Sequence, residues 1–88
     1  MTDINKLREE IDRIDDHISD LFIQRMILVS KIAQYKAENN LPVLDSVREE
    51  RIIARLSEGQ NEMAADYIKA LFAAIFEISR VYQERNGK

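Results

Sequence analysis

The chain has 88 residues, 45% of them hydrophobic and 33% charged, with two Gly, one Pro and no Cys. That length holds one small domain over residues 1–88, with a core that would be marginal alone, and so little Gly and Pro favours helices over a β-rich or disordered chain. A net charge of −3 without a basic stripe argues against a nucleic-acid partner, and the absence of thiols excludes disulfides and cysteine chemistry.

The opening Met-Thr-Asp-Ile-Asn-Lys lacks the apolar core of a signal peptide. The longest apolar run, Ala70 to Phe76, is too short to span a bilayer. A soluble, cytoplasmic protein without a membrane partner is the expectation.

The first predicted element is one uninterrupted helix from Ile4 to about Glu38. Its apolar residues keep a three-four spacing through Ile4, Leu7, Ile11, Ile14, Ile18 and Leu21, then Leu28, Ile32 and Tyr35, as on a helix seam. Arg25 stands where the seam calls for an apolar residue. Such a helix spans roughly 50 Å, whereas a compact domain of this size is ~31 Å across. One chain cannot cover that stripe, so a two-fold homodimer with antiparallel long helices is expected.

Asn39-Asn40-Leu41-Pro42-Val43 breaks the chain after this helix. A second helix is predicted from Asp45 or Ser46, where Ser46-Val47-Arg48-Glu49 fits a capping box, through Leu56 to a stop near Gly59. A third starts at Asn61 or Glu62 and runs to about Arg85, with a stripe of Ile68, Leu71, Phe72, Ile75, Ile78 and Tyr82, before Asn86-Gly87-Lys88 frays. The fold class is all-α, with three helices per chain and six in an intertwined homodimer.

Polar residues on the apolar stripes are the candidates for function. Arg25 on the seam needs an anion, or else a partner in an ion pair between subunits. Lys36 lies eleven residues on, within roughly 20° of the same face and ~16 Å along the axis, so the two side chains can lean over one small ligand. Glu49 shares a face with Ile52, Ile53 and Leu56, either as the capping-box residue or as part of a site. Ser79 and Gln83 sit four apart on the third stripe, where backbone hydrogen bonds are the ordinary explanation. Together these two cations, a carboxylate, a hydroxyl and an amide make the inventory of an anion-binding pocket inside a bundle.

The remaining polar residues read as structural. Arg48, Arg51 and Arg55 line one side of the second helix as a solvated face, and His17 lies among acidic neighbours beside the seam. Met26 and Met63 are core or edge fillers. A single His and no Cys give neither a metal site nor a nucleophile–base pair, so an enzyme built on this chain works without metal, cofactor or covalent intermediate.

The ordered set Leu7-Arg8-Glu9, Ile14-Asp15, Arg25, Lys36, Pro42-Val43, Asp45, Arg48-Glu49, Ser79 and Gln83 resembles the all-helical chorismate mutases over essentially the whole chain. These enzymes convert chorismate to prephenate by a unimolecular Claisen rearrangement on the path to phenylalanine and tyrosine. The resemblance implies that Arg25 grips one substrate carboxylate and Arg8 the other. It implies that Lys36 and Gln83 donate to the ether oxygen, while Glu49 and the backbone near Asp45 hold the ring hydroxyl. Arg48 and Ser79 would complete the pocket. Arg8 and Arg25 are ~25 Å apart along one helix, so if both serve one pocket Arg8 comes from the partner chain, with the two-fold axis near Ile18 to Leu21. Two alternatives stay open: the isochorismate-pyruvate lyases, which share the fold and a similar cationic pocket, and a non-catalytic helical dimerisation module with Arg25 as a register device.

Overall fold

The computed structural model describes residues 3–86 and folds as three helices, α1 (Ile4–Glu38), α2 (Ser46–Ser57) and α3 (Glu62–Asn86), with no strand among the described residues. The expected fraying at the C-terminus falls on Gly87 and Lys88, which lie outside the described residues, while α3 runs through Asn86.

Each boundary has a local cause. Asp3 caps α1, its carboxylate accepting the Asn5 backbone N–H at 2.9 Å. With no Gly or Pro to interrupt it, the helix continues for 35 residues. It ends at Asn39, after which Asn40 takes a left-handed φ of 55° and the Leu41 N–H closes back on the Lys36 carbonyl at 2.8 Å. Gly59, at φ 77°, turns the chain after α2, and the Asn61 side chain accepts the Ala64 N–H at 2.8 Å to start α3.

The cap of α2 differs from the predicted capping box. Asp45, not Ser46, is the N-cap, and its Oδ1 accepts the Arg48 backbone N–H at 3.0 Å. Ser46 is the first helical residue, so Glu49 falls one place beyond the position from which a capping-box side chain reaches back. Its carboxylate is therefore available to another partner.

Helix α3 is the middle of the fold: it packs on both α1 and α2, which do not pack on each other. The apolar core is small, with Val29, Ala33, Ile52 and Phe76 buried, and two polar residues, Ser79 and Gln83, buried beside it. On α3 the innermost line is Phe72, Phe76, Ser79 and Gln83, which shares Phe72 with the predicted stripe, while Leu71 and Ile78 of that stripe are exposed. The Phe72 and Phe76 rings meet at 5.7 Å, tilted by 58°.

Helix α1 carries two apolar faces. The face turned to α3 holds Phe22, Arg25, Met26, Val29, Ala33 and Lys36, where small Ala33 permits close approach. Arg25 excepted, the seam read from the sequence points elsewhere, and its residues from Leu7 (45%) to Leu21 (63%) stay largely accessible within one chain. Every described residue of α1 before Phe22 is exposed. The chain accordingly measures 58 × 26 × 15 Å, with a radius of gyration of 16.4 Å against ~12 Å for a compact domain of its size.

Candidate active site

The gap between α1 and α2, floored by α3, is a cavity of about 320 Å³. It lies at the small end of the ~300–1,000 Å³ usual for ligand pockets. Arg25, Val29, Ile32 and Lys36 of α1 line one side, Val43 and Asp45 the connecting loop, Arg48, Glu49 and Ile52 the α2 side, and Phe76, Ser79, Arg80 and Gln83 the floor. Seven residues singled out in the sequence thus converge: Arg25, Lys36, Asp45, Arg48, Glu49, Ser79 and Gln83. Arg8 does not join them. It is exposed, on the same helix as Arg25 but seventeen residues away, or ~25 Å.

Arg25 and Lys36 are each held by short contacts. Arg25 Nη1 donates to Ser79 Oγ at 2.8 Å, and that hydroxyl in turn donates to the Ile75 carbonyl at 2.8 Å. The guanidinium also lies over the Phe76 ring, 5.9 Å from its centroid. No carboxylate among the described residues pairs with Arg25. Burial lowers its pKa below the ordinary value, and the neighbouring Arg48 charge lowers it further, so an anion brought here would relieve both effects.

Lys36 Nζ donates to the Val43 carbonyl at 2.8 Å, which ties the end of α1 to the loop before α2. An ammonium has three donors, so two remain. Gln83 is buried, and its Oε1 has no hydrogen-bond partner in the protein. An unsatisfied buried polar atom costs about 1–3 kcal/mol, so a cavity-facing amide left this way is organised for something other than packing. A half-turn of the amide exchanges its oxygen for an NH₂ donor.

One residue escaped the sequence reading. Arg80 Nη1 meets Glu49 Oε2 at 2.6 Å, both side chains being about a quarter to a third exposed (31% and 24%). Arg80 is one place after Ser79, a turn of ~100° that carries it to the edge of the marked line, so local spacing gives no signal for it.

The charge balance defines what the cavity can hold. Four cations, Arg25, Lys36, Arg48 and Arg80, face two carboxylates, Asp45 and Glu49, an excess of two positive charges. A small dianion with an apolar body fits that balance and the Val29, Ile32, Ile52 and Phe76 walls. No group of three or more His, Cys, Asp or Glu placed to hold a metal ion occurs among the described residues. No helix among them is long and apolar enough to cross a membrane.

Comparisons with known proteins agree on one family. The family profile described as chorismate mutase type II matches residues 7–84. The bifunctional chorismate mutase/prephenate dehydratase of Buchnera aphidicola subsp. Schizaphis graminum is 35% identical over 85 residues, covering 94% of this chain and 22% of that protein. Its counterpart in Buchnera aphidicola subsp. Acyrthosiphon pisum is 38% identical over 80 residues, covering 89% of this chain and 21% of that protein. The protein of the same description in Aquifex aeolicus is 38% identical over 56 residues, 64% of this chain and 16% of its own length. The chain therefore spans about a fifth of the length of the first two relatives. No solved structure gives a significant match.

Proposed function

The chain belongs to the chorismate mutase type II family, and on that premise we propose that it rearranges chorismate to prephenate as a two-fold homodimer, with residues 1–88 forming one chorismate mutase domain. The observation that carries the reading is the cavity itself: the cations, carboxylate, hydroxyl and amide singled out in the sequence converge in it, with an excess of two positive charges.

The reaction is unimolecular. An ether C–O bond breaks as a C–C bond forms, and no proton, metal or nucleophile takes part. The protein's task is to hold the compact, chair-like conformer and to place donors where negative charge develops on the ether oxygen. Arg25 binds one carboxylate. Lys36, steadied by Val43, uses a free N–H on the ether oxygen, and the Gln83 amide supplies the second donor. Glu49 and the backbone near Asp45 take the ring hydroxyl, with Arg48 and Ser79 flanking. An acceleration of ~10⁶ needs only ~8 kcal/mol of differential stabilisation. Charge-assisted hydrogen bonds at ~1.5–3 kcal/mol each, with conformer selection, reach that order.

The other carboxylate falls to Arg8 of a second copy. The exposed seam of α1 supports a homodimer, because apolar area of this extent on a soluble chain marks an interface. An apolar groove of about 600 Å³ between α1 and α3, bordered by Ile18, Leu21, Phe22, Leu71 and Ile78, continues the same surface. Antiparallel pairing of two α1 helices about Ile18 to Leu21 sets each Arg8 level with about residues 28–34 of the other chain, between its Arg25 and Lys36.

The test is chorismate consumption followed by ultraviolet absorbance, with the product identified as prephenate and isochorismate assayed in parallel. Wild type, Arg8→Ala, Arg25→Ala and the two variants denatured and refolded together are compared. Turnover by wild type, loss in both variants and partial recovery in the mixture are expected, because a mixed dimer assembles one intact site. Turnover without recovery in proven heterodimers rejects the shared site, and a folded dimer without turnover rejects the reaction.

A further inference from the structure

Resting on that reading of the site, we infer that Arg80 is a positioning residue, which sets Glu49 as the acceptor for the substrate's ring hydroxyl. Arg80 Nη1 engages Glu49 Oε2 at 2.6 Å. Glu49 itself lines the cavity. Glu49 shares that cavity with Arg25, Lys36 and Arg48, any of which would attract its carboxylate. A Glu49 that swung toward Arg25 or Lys36 would neutralise a cation needed by the substrate and withdraw the acceptor from the hydroxyl. The salt bridge to Arg80 removes that freedom.

The pair also fixes where α2 sits. Helix α2 has no packing against α1 and is held through α3. The Glu49–Arg80 bridge joins the first turn of α2 to the floor of the cavity, between Ser79 and Gln83. On its far side a second cavity of about 540 Å³ lies between α2 and α3, bordered by Ile53, Ala54, Lys69 and Ala73. Glu49, Phe76 and Arg80 line both cavities, so they form the partition between them. Arg80 thus lines the site beside Glu49 and borders the second cavity as well.

The test is a double-mutant cycle read on two substrates: chorismate, and the analogue with hydrogen in place of its ring hydroxyl. Arg80→Ala is expected to lower kcat/KM for chorismate about 10-fold and for the analogue less than about 2-fold, since the analogue has nothing for Glu49 to hold. In a Glu49→Gln background the same substitution is expected to change kcat/KM for chorismate less than about 2-fold, because the two residues act as one unit. Arg80→Lys, which keeps a cation, is expected to recover at least about a third of the wild-type value. Arg80→Gln, which keeps most of the stem, is read by the same criteria if the alanine variant does not fold. Equal losses on both substrates, an undiminished loss in the Glu49→Gln background, or no loss at all overturns the inference while wild-type turnover stands. A folded wild type without turnover overturns the parent reading, and this inference with it.

Discussion

Replacing Arg25 with methionine separates what the guanidinium does for the fold from what it does for the ligand. Methionine keeps much of the unbranched stem and fits irregular space. The fold loses the hydrogen bond to Ser79, worth about 0.5–1.5 kcal/mol, and the contact over Phe76, worth about 0.5–1 kcal/mol. It gains relief from a charge that burial and Arg48 both disfavour. Because its pKa is lowered on folding, the protonated form is less favoured in the folded than in the unfolded chain. That penalty acts at every working pH, since an arginine stays protonated throughout. The terms oppose each other, so the melting temperature is expected to move by less than about 5 °C. Catalysis has no such offset. Two charge-assisted hydrogen bonds to a carboxylate, at ~1.5–3 kcal/mol each, put the loss near 3–6 kcal/mol, or roughly 10²–10⁴ in kcat/KM. Thermal melts and steady-state rates on the same preparations give both numbers. A folded Arg25→Met protein within about 3-fold of wild-type kcat/KM would refute this account of the cavity.

Gln83→Glu replaces a donor that does not titrate with one that donates only when protonated. Its kcat/KM is expected to fall at least about 10-fold at neutral pH and to rise as the pH is lowered, while the wild-type pH–rate profile loses nothing at this position between about pH 6 and 8. Asp45→Ala removes the N-cap of α2 and is expected to lower stability by about 1 kcal/mol, a drop of roughly 4–8 °C in a thermal melt, with Asp45→Asn restoring most of it. Ile18→Asp puts a charge at the expected two-fold axis. Sedimentation should show monomer in place of dimer, together with loss of turnover, and a fully active monomer would break the link between assembly and site.

The helices were legible because local chemistry alone decides them. α1 contains no breaker between Asp3 and Asn39, and Asn40, Pro42, Gly59 and Asn61 punctuate the rest. The cap of α2 was misassigned because Asp45 and Ser46 are adjacent residues of equal capping ability, and Glu49 at three places beyond Ser46 imitates the box. Choosing between them depends on where the loop from Asn39 delivers the chain, which is a tertiary matter. The seam of α1 was visible as a periodicity, but spacing does not say which of two apolar faces meets α3. Of the site, Arg25, Ser79 and Gln83 were readable because polar groups stand out on an apolar stripe. Arg80 stood out against nothing: an arginine in the last turns of a helix with charges of both signs looks like solvated surface, and its partner Glu49 is 31 positions away. Pairings over such separations leave no trace in local pattern.

The first half of α1 has a consequence for how the molecule behaves on dilution. Every described residue before Phe22 is exposed, so this arm is no part of the single-chain core. Most helical stability in proteins comes from tertiary packing, and this arm has none within its own chain. In the proposed homodimer its order therefore depends on the second copy, and fades as that copy dissociates. Amide exchange along Ile4 to Leu21 should then quicken as the protein is diluted, while Val29, Ala33 and the α3 amides around Phe76 keep the protection of their own chain. The arm would act as a built-in gauge of concentration, legible one residue at a time.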